Sequence, residues 1–193
     1  MLALPRGGVP VGYEVARSLH APLDVFLVRK LGLPGHEEFA MGAIASDGVV
    51  LLDDRIIRTL GVDRRSIDVV VAKEQRELER RALSYRGSRP NVGIRDCVVI
   101  VVDDGLATGS TMRVAVRALR RERPRRIVVA VPVAAPETCR SFREGDDAAD
   151  EIVCLATPDP FQAVGLWYDV FDQTSDDEVR ALLNSAREYA TPN

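Results

Sequence analysis

Short apolar runs alternate along the chain with amphipathic stretches of helical period. The clearest run, Val98-Val99-Ile100-Val101-Val102, is unbroken over strand length and stops at Asp103-Asp104. A loop of small and hydroxyl residues follows, then a helical pattern at about 109 to 122 with Ala115, Val116 and Leu119 facing inward. A strand apolar on both faces belongs inside a parallel sheet, and the carboxyl end of such a strand is where open α/β sheets place their sites. Arg126 to Val133 reads as a further strand, residues around 136 to 143 as a helix and Glu151 to Leu155 as the next strand. This is the pattern of βαβ units, whose right-handed crossovers put the loops after the strands on one edge of the sheet.

The first half repeats the alternation with more interruptions. Met1 to Leu4 reads as the end of a strand, followed by Pro5-Arg6-Gly7-Gly8 and a helix at about 9 to 19 that His20 would cap. Leu23 to Val28 is a second strand, ending in Arg29-Lys30 and a loop from Leu31 to Gly35. Gly42 to Ala45 and Val49 to Leu52 form a hairpin about Ser46-Asp47-Gly48. Asp53-Asp54 precede a short helix with no Thr-Gly-Ser loop after them, so they read as N-terminal caps. The longest helical pattern, 63 to 84, places Ile67, Val70, Val71, Leu78, Ala82 and Leu83 on one face and Glu74, Arg76, Glu77, Glu79 and Arg80 on a solvated one. Gly87 to Gly93 is a connector.

From Pro158 the composition changes, and Phe161, Trp167, Tyr168 and Phe171 fall close together, either as a lid on the core or as a surface for a planar ligand. A last helix at about 176 to 189, capped by Thr174 or Ser175, carries Val179, Leu182 and Leu183. The expected organisation is an α/β core over 1–156, built on a doubly wound, mostly parallel sheet flanked by helices and carrying a hairpin and long helix at about 42–84. A small C-terminal hood and helix occupy 157–193.

At 193 residues the chain suits one well-buried domain. A formal charge of −3 argues against a broad nucleic-acid surface while leaving room for a local anion site. No apolar stretch reaches bilayer length and no signal-peptide core follows Met1, so the expectation is a cytoplasmic protein without a membrane partner. Cys97, Cys139 and Cys154 lack metal or redox spacing and read as buried free thiols. His20 and His36 are the only histidines, which excludes a His-rich metal site, and Lys30 and Lys73 are the only lysines.

Thr108-Gly109-Ser110-Thr111 at a helix start offers hydroxyls, backbone N–H groups and the positive end of the helix dipole to a phosphate. Asp103 and Asp104, one short loop away, would repel a phosphate but can accept from vicinal hydroxyls or hold a divalent cation through water. Together they suit a sugar phosphate. Arg6-Gly7-Gly8 adds N–H groups and a cation at a second strand-to-helix turn. A P-loop enzyme is excluded because G-x-x-x-x-G-K-[ST] is absent, and a dinucleotide fold because the glycines after the first strand lack the G-x-G-x-x-G spacing.

Val98 to Thr111 resembles the phosphoribosyl-pyrophosphate motif of type I phosphoribosyltransferases: four hydrophobics, an acidic pair, a spacer, then Thr-Gly-Gly/Ser-Thr. Leu4-Pro5-Arg6-Gly7-Gly8 looks like that family's pyrophosphate loop, and the segment from Pro158 like its hood. The resemblance implies the type I phosphoribosyltransferase fold and transfer of ribose 5-phosphate from phosphoribosyl pyrophosphate to a nitrogenous base. It would set Asp103 and Asp104 on the ribose hydroxyls, Ala107, Thr108, Gly109, Ser110 and Thr111 on the 5′-phosphate, and Arg6, Gly7, Gly8 and Lys30 toward the pyrophosphate. Mg²⁺ would bridge ligand oxygens near Asp103 and Asp104, with no metal ligand assigned directly. Phe161 or Trp167 would stack on the base, with Asp169 in the hood.

Ala107 stands where relatives acting on 6-oxopurines carry an Asp, as in relatives using adenine or orotate, whereas Val164-Gly165 followed by Asp169 looks like the oxopurine hood. The two clues leave the base open. The family's mobile loop would fall between residues 30 and 90, where no motif matches it. The alternative function is a non-catalytic regulatory module that binds phosphoribosyl pyrophosphate or a nucleotide, and a homodimer is an open assembly.

Overall fold

The apolar run at the centre of the chain forms a strand with a parallel neighbour on each side. The computed structural model describes residues 1–46, 48–87, 92–144 and 149–190. In chain order its elements are β1 (Leu2–Ala3), α1 (Gly8–Leu19), β2 (Asp24–Val25), β3 (Val28–Leu33), β4 (His36–Ala45), β5 (Val50–Leu52), α2 (Asp54–Leu60) and α3 (Arg64–Arg86). There follow β6 (Val98–Val102), α4 (Ser110–Arg121), β7 (Arg126–Val133), α5 (Pro136–Ser141), β8 (Glu151–Ala156), a 3₁₀ turn at Val164–Trp167, and α6 (Asp176–Ala190).

The main sheet has the order β2-β1-β6-β7-β8, with every pairing parallel. Leu2 and Ala3 pair with Val101 and Val102, so β1 lies against the carboxyl end of β6. Both faces are covered. Met112, Ala115, Val116 and Leu119 of α4 and Phe142 after α5 pack on one side. Val9 of α1, Ile67 and Leu78 of α3, and Val179 and Leu183 of α6 belong to the core of the other. Chain order reverses direction between β1 and β6, the crevice where open α/β sheets bind ligands. The α/β, doubly wound expectation is met.

The antiparallel sheet β3-β4-β5 holds the expected hairpin, with Gly42 opposite Leu52 and Ile44 opposite Val50. Its turn residue Asp47 lies outside the described residues, as do 88–91 of the connector. The strand expected over 23–28 divides instead. Asp24–Val25 stays in the main sheet, Leu27 N–H donates to the Ser46 hydroxyl at 3.2 Å, and Val28 opens β3. Arg29 and Lys30 are therefore strand residues, not the entrance of a loop.

Two expectations about α3 fail. Glu74 is buried, because its carboxylate accepts from Arg29 Nε and so keeps a charge partner inside. Leu83, expected in the core, is exposed. The cysteines also differ from expectation: the crossover from α5 to β8 joins Cys139 and Cys154 in a disulfide across 15 residues, while Cys97 is exposed and free. Several local signals hold. Asp53 caps α2 by accepting from Arg55 and Ile56 N–H, whereas Asp63, expected within the helix, stands before α3 and caps it by accepting from Ser66 N–H. His20 closes α1 in the left-handed region, and Ser175 accepts from Glu178 N–H at the start of α6. No helix of the described residues is long and apolar enough to cross a membrane.

Candidate functional site

The two loops at the switch point touch. Leu4 N–H donates to the Val102 carbonyl at 2.9 Å, the Pro5–Arg6 peptide is cis, and Gly8 N–H closes the turn onto the Leu4 carbonyl at 3.0 Å before α1 begins. A β-carbon on Gly7 would lie 1.9 Å from Asp104 Oδ2, and one on Gly8 2.7 Å from the Val102 carbonyl oxygen. These glycines serve close approach, so Gly7 and Gly8 lie directly against the acidic pair.

Asp103 and Asp104 are half-buried at the end of β6. Burial, with the neighbouring Asp104 charge second, pushes Asp103 up to about 7, against one bond that its Oδ1 accepts from Asp104 N–H at 2.9 Å. Burial also raises Asp104, opposed by backbone N–H groups. Among the described residues, no arginine or lysine figures in either shift. Burial thus disfavours the charged form of both carboxyls, which hydroxyl donors or a cation would favour.

The loop from β6 to α4 is pinned from behind. Leu106 N–H donates to the Val133 carbonyl and Ala135 N–H to the Leu106 carbonyl, both at 2.9 Å. The Thr138 hydroxyl of α5 donates to the Ala107 carbonyl at 2.5 Å. Ala107, Thr108, Ser110 and Thr111 are exposed, whereas Gly109 is buried. Gly109 adopts φ +70°, and a β-carbon there would meet Phe142 Cε2 at 2.7 Å and Thr138 Cγ2 at 2.9 Å. Its side-chain direction faces α5, so glycine is required by backbone and packing rather than by the space a phosphate would fill. Helices α1 and α4 both start without a side-chain cap, at Gly7 and Gly109, leaving two helix N-termini beside the acids.

The hood closes over this edge. The Tyr168 hydroxyl donates to the Asp104 carbonyl at 2.6 Å, and its ring lies 5.1 Å from that of Phe171. Burial, then the charges of Asp104 and Asp103, push the Tyr168 phenol up to about 12. Val164 packs on Gly105 and Phe171 on Gly165, where β-carbons would come within 2.6 Å of their side chains. A cleft of about 880 Å³ opens between Arg6, Gly7, Asp104, Tyr168, Phe171 and Gln173.

Of the expected residues Arg6, Gly7 and Asp104 line this cleft, while Gly8, Asp103 and the Ala107–Thr111 loop lie outside its lining. Trp167 is exposed at the end of the 3₁₀ turn and Phe161 is half-buried; neither lines the cleft, because Val164 turns inward and the ring presented to the acids is that of Tyr168. Asp169 is exposed and also outside the lining. Lys30 is exposed on β3 within the antiparallel sheet, and it too is outside the lining. Two contributors were not singled out by sequence. Tyr168 was one of four clustered aromatics with nothing to distinguish it, and Thr138 is 31 residues from the carbonyl it holds.

Among the described residues no group of three or more His, Cys, Asp or Glu could hold a metal ion. The donor set present, two adjacent carboxylates, still fits Mg²⁺, which takes one or two protein carboxylates and completes its shell with substrate phosphates and water.

Residues 1–166 match the family model described as phosphoribosyl transferase domain. Two curated relatives from Mycobacterium tuberculosis, "Putative phosphoribosyl transferase MT0597" of strain CDC 1551 / Oshkosh and "Putative phosphoribosyl transferase Rv0571c" of strain H37Rv, are each 47% identical over 191 residues. The alignment covers 98% of this chain but 42% of theirs, so the chain spans less than half the length of these relatives. The crystal structure of TT1426 from Thermus thermophilus superposes with a TM-score of 0.82 at 42% identity, over 95% of this chain and 86% of that one.

Proposed function

The chain belongs to the phosphoribosyl transferase domain family, and on that premise we propose that it transfers the ribose 5-phosphate group of phosphoribosyl pyrophosphate to a nitrogenous base, releasing pyrophosphate. The observation that carries the proposal is the contact of Gly7 and Gly8 with Asp103 and Asp104 at the switch point, beside the exposed start of α4. Each part of the donor molecule then has a complementary surface. The 5′-phosphate meets the Ala107–Thr111 loop and the positive end of α4. The ribose hydroxyls donate to Asp103 and Asp104. The pyrophosphate meets Arg6 and the N–H groups at the start of α1.

Displacement at C1 of the ribose develops positive charge on the sugar and negative charge on the departing pyrophosphate. Asp103 and Asp104 stabilise the first through the hydroxyls they hold, and Arg6 stabilises the second. Tyr168 and Phe171 offer the apolar side of the cleft to a planar base and, with the hood, exclude water. Mg²⁺, when bound near Asp103 and Asp104, neutralises charge on pyrophosphate and ribose oxygens. No covalent nucleophile is needed, so the protein acts by positioning and electrostatics.

The test is incubation with phosphoribosyl pyrophosphate, Mg²⁺ and a panel of bases while following pyrophosphate release. Base-dependent release that falls by about a hundredfold or more in the Asp103→Asn/Asp104→Asn double variant supports the proposal. Saturable binding with no turnover on any base replaces it by the regulatory-module reading.

A further inference from the structure

Arg6 does not stand alone in the cleft. Its Nη1 lies 3.8 Å from Oδ1 of Asp176, the first residue of α6, and that same oxygen accepts the Tyr85 hydroxyl at 2.7 Å. The three residues come from separate parts of the chain: the loop before α1, the last turns of α3 and the first turn of α6. Tyr85 is buried, and α6 is seated in the core through Val179 and Leu183. The carboxylate is thus held from two sides, by a buried phenol and by an anchored helix. Asp176 lies beyond residues 1–166, the part matched by the family model.

We infer that Asp176, oriented by Tyr85, is a positioning residue that holds the Arg6 guanidinium at the cleft for a pyrophosphate group; this rests on the reading of Arg6 given above. Arg6 is a long side chain between Pro5 and Gly7, and an unguided guanidinium there has many rotamers. A carboxylate 3.8 Å from one terminal nitrogen, beyond hydrogen-bond distance, biases those rotamers toward the cleft electrostatically and leaves the N–H donors of the planar fork for an anion. The protonation states follow from the same contacts. The Tyr85 hydroxyl first, then Arg6, Arg180 and Arg81, keep Asp176 below the usual carboxylate range, so it is ionised across neutral pH. Burial and the bond to Asp176 push Tyr85 up to about 12, so it remains the donor.

The experiment titrates Mg²⁺ and inorganic pyrophosphate into the wild type, Asp176→Asn, Arg6→Ala and the Arg6→Ala/Asp176→Asn double variant. In parallel, the Arg6 Nε–H resonance, assigned by its loss in Arg6→Ala, is followed in ¹⁵N spectra. Asp176→Asn is expected to weaken pyrophosphate binding by about two- to fivefold, the range of a partly exposed ion pair. It should add nothing on the Arg6→Ala background, and it should broaden the Arg6 resonance without changing the melting temperature by more than a few degrees. Tyr85→Phe should give a smaller loss of the same kind, and Asp176→Glu should restore part of the affinity. Unchanged affinity in Asp176→Asn, an equal loss with and without Arg6, or an unaltered Arg6 resonance overturns the inference alone. Failure of the wild type to bind either pyrophosphate or phosphoribosyl pyrophosphate overturns the transferase reading as well.

Discussion

Gly8 lies so close to Asp103 that a β-carbon on the glycine would sit 2.9 Å from the aspartate Cα, with the Val102 carbonyl oxygen at 2.7 Å. Both neighbours are main-chain atoms of the central strand end and cannot swing aside as a flexible side chain would. Gly8→Ala must therefore push the loop carrying Arg6 away from the acids. The expected outcome is a loss of about 1–3 kcal/mol in denaturant unfolding, the usual range for an overpacked site. Phosphoribosyl-pyrophosphate affinity should fall more steeply than stability, since the shifted atoms are the ones that form the site. Unchanged binding together with a normal unfolding midpoint would show that the two loops do not meet.

Asp103 provides a prediction about pH. Its carboxyl moves from an ordinary value of 3.8 to about 7 on folding, so between these values the folded chain holds a proton that the unfolded chain has lost. Stability should fall as pH rises through this window, and the full cost should be present above about pH 7. At about 1.4 kcal/mol per pH unit the upper bound is roughly 4 kcal/mol, and solvent in the open cleft should reduce the measured effect to roughly 1–3 kcal/mol. Asp103→Asn keeps an acceptor for Asp104 N–H and cannot ionise. Urea unfolding at pH 5 and pH 8 should show the variant overtaking the wild type at the higher pH while losing the bound sugar phosphate. A wild type with the same stability at both values, relative to the variant, would contradict the assignment.

These two cases mark how far the sequence was legible. Val98 to Val102, Asp103-Asp104 and the Gly7-Gly8 pair could be read directly, because an apolar run of strand length and small residues after it leave few physical options. Sequence also placed α1, α4, β7 and α6 closely, since each has a strong period or a cap such as Ser175. Contacts remote along the chain were not legible. Burial of Glu74 depends on Arg29, the Cys139–Cys154 bond on a crossover, and the choice of Tyr168 over Trp167 on which way a 3₁₀ turn faces. Gly109 is legible in the sequence as part of the loop, while its packing against Phe142 and Thr138 is visible only in the structure.

That arrangement behind the loop leads to Thr138. Its hydroxyl is the side-chain anchor of the Ala107 carbonyl, and its methyl group faces Gly109. Thr138→Val keeps the shape and removes the donor. The cost should be about 1 kcal/mol of stability for the lost hydrogen bond. The weaker hold on residues 107–109 should raise the KM for phosphoribosyl pyrophosphate by roughly three- to tenfold, with kcat little changed if the loop serves binding alike in ground and transition states. An equal fall in kcat with constant KM would place the loop's contribution in the transition state instead.

The last prediction concerns the hood. Tyr168 donates to the Asp104 carbonyl at 2.6 Å, and its ring packs with Phe171 on the cleft. The bond therefore ties a C-terminal segment to the strand end that carries the acids. Tyr168→Phe retains the ring surface for a base and removes only the tie, so base selectivity should persist while the hood opens more often. The expected readouts are faster hydrogen exchange over residues 164–171 and a KM for the base raised by roughly two- to fivefold, the size of effect a single net hydrogen bond supports. Tyr168→Ala removes the ring as well and should lose at least about another 1 kcal/mol of base binding if that ring is the platform. If the alanine variant binds base no worse than the phenylalanine variant, the platform is elsewhere, and Phe171 is the ring to test next.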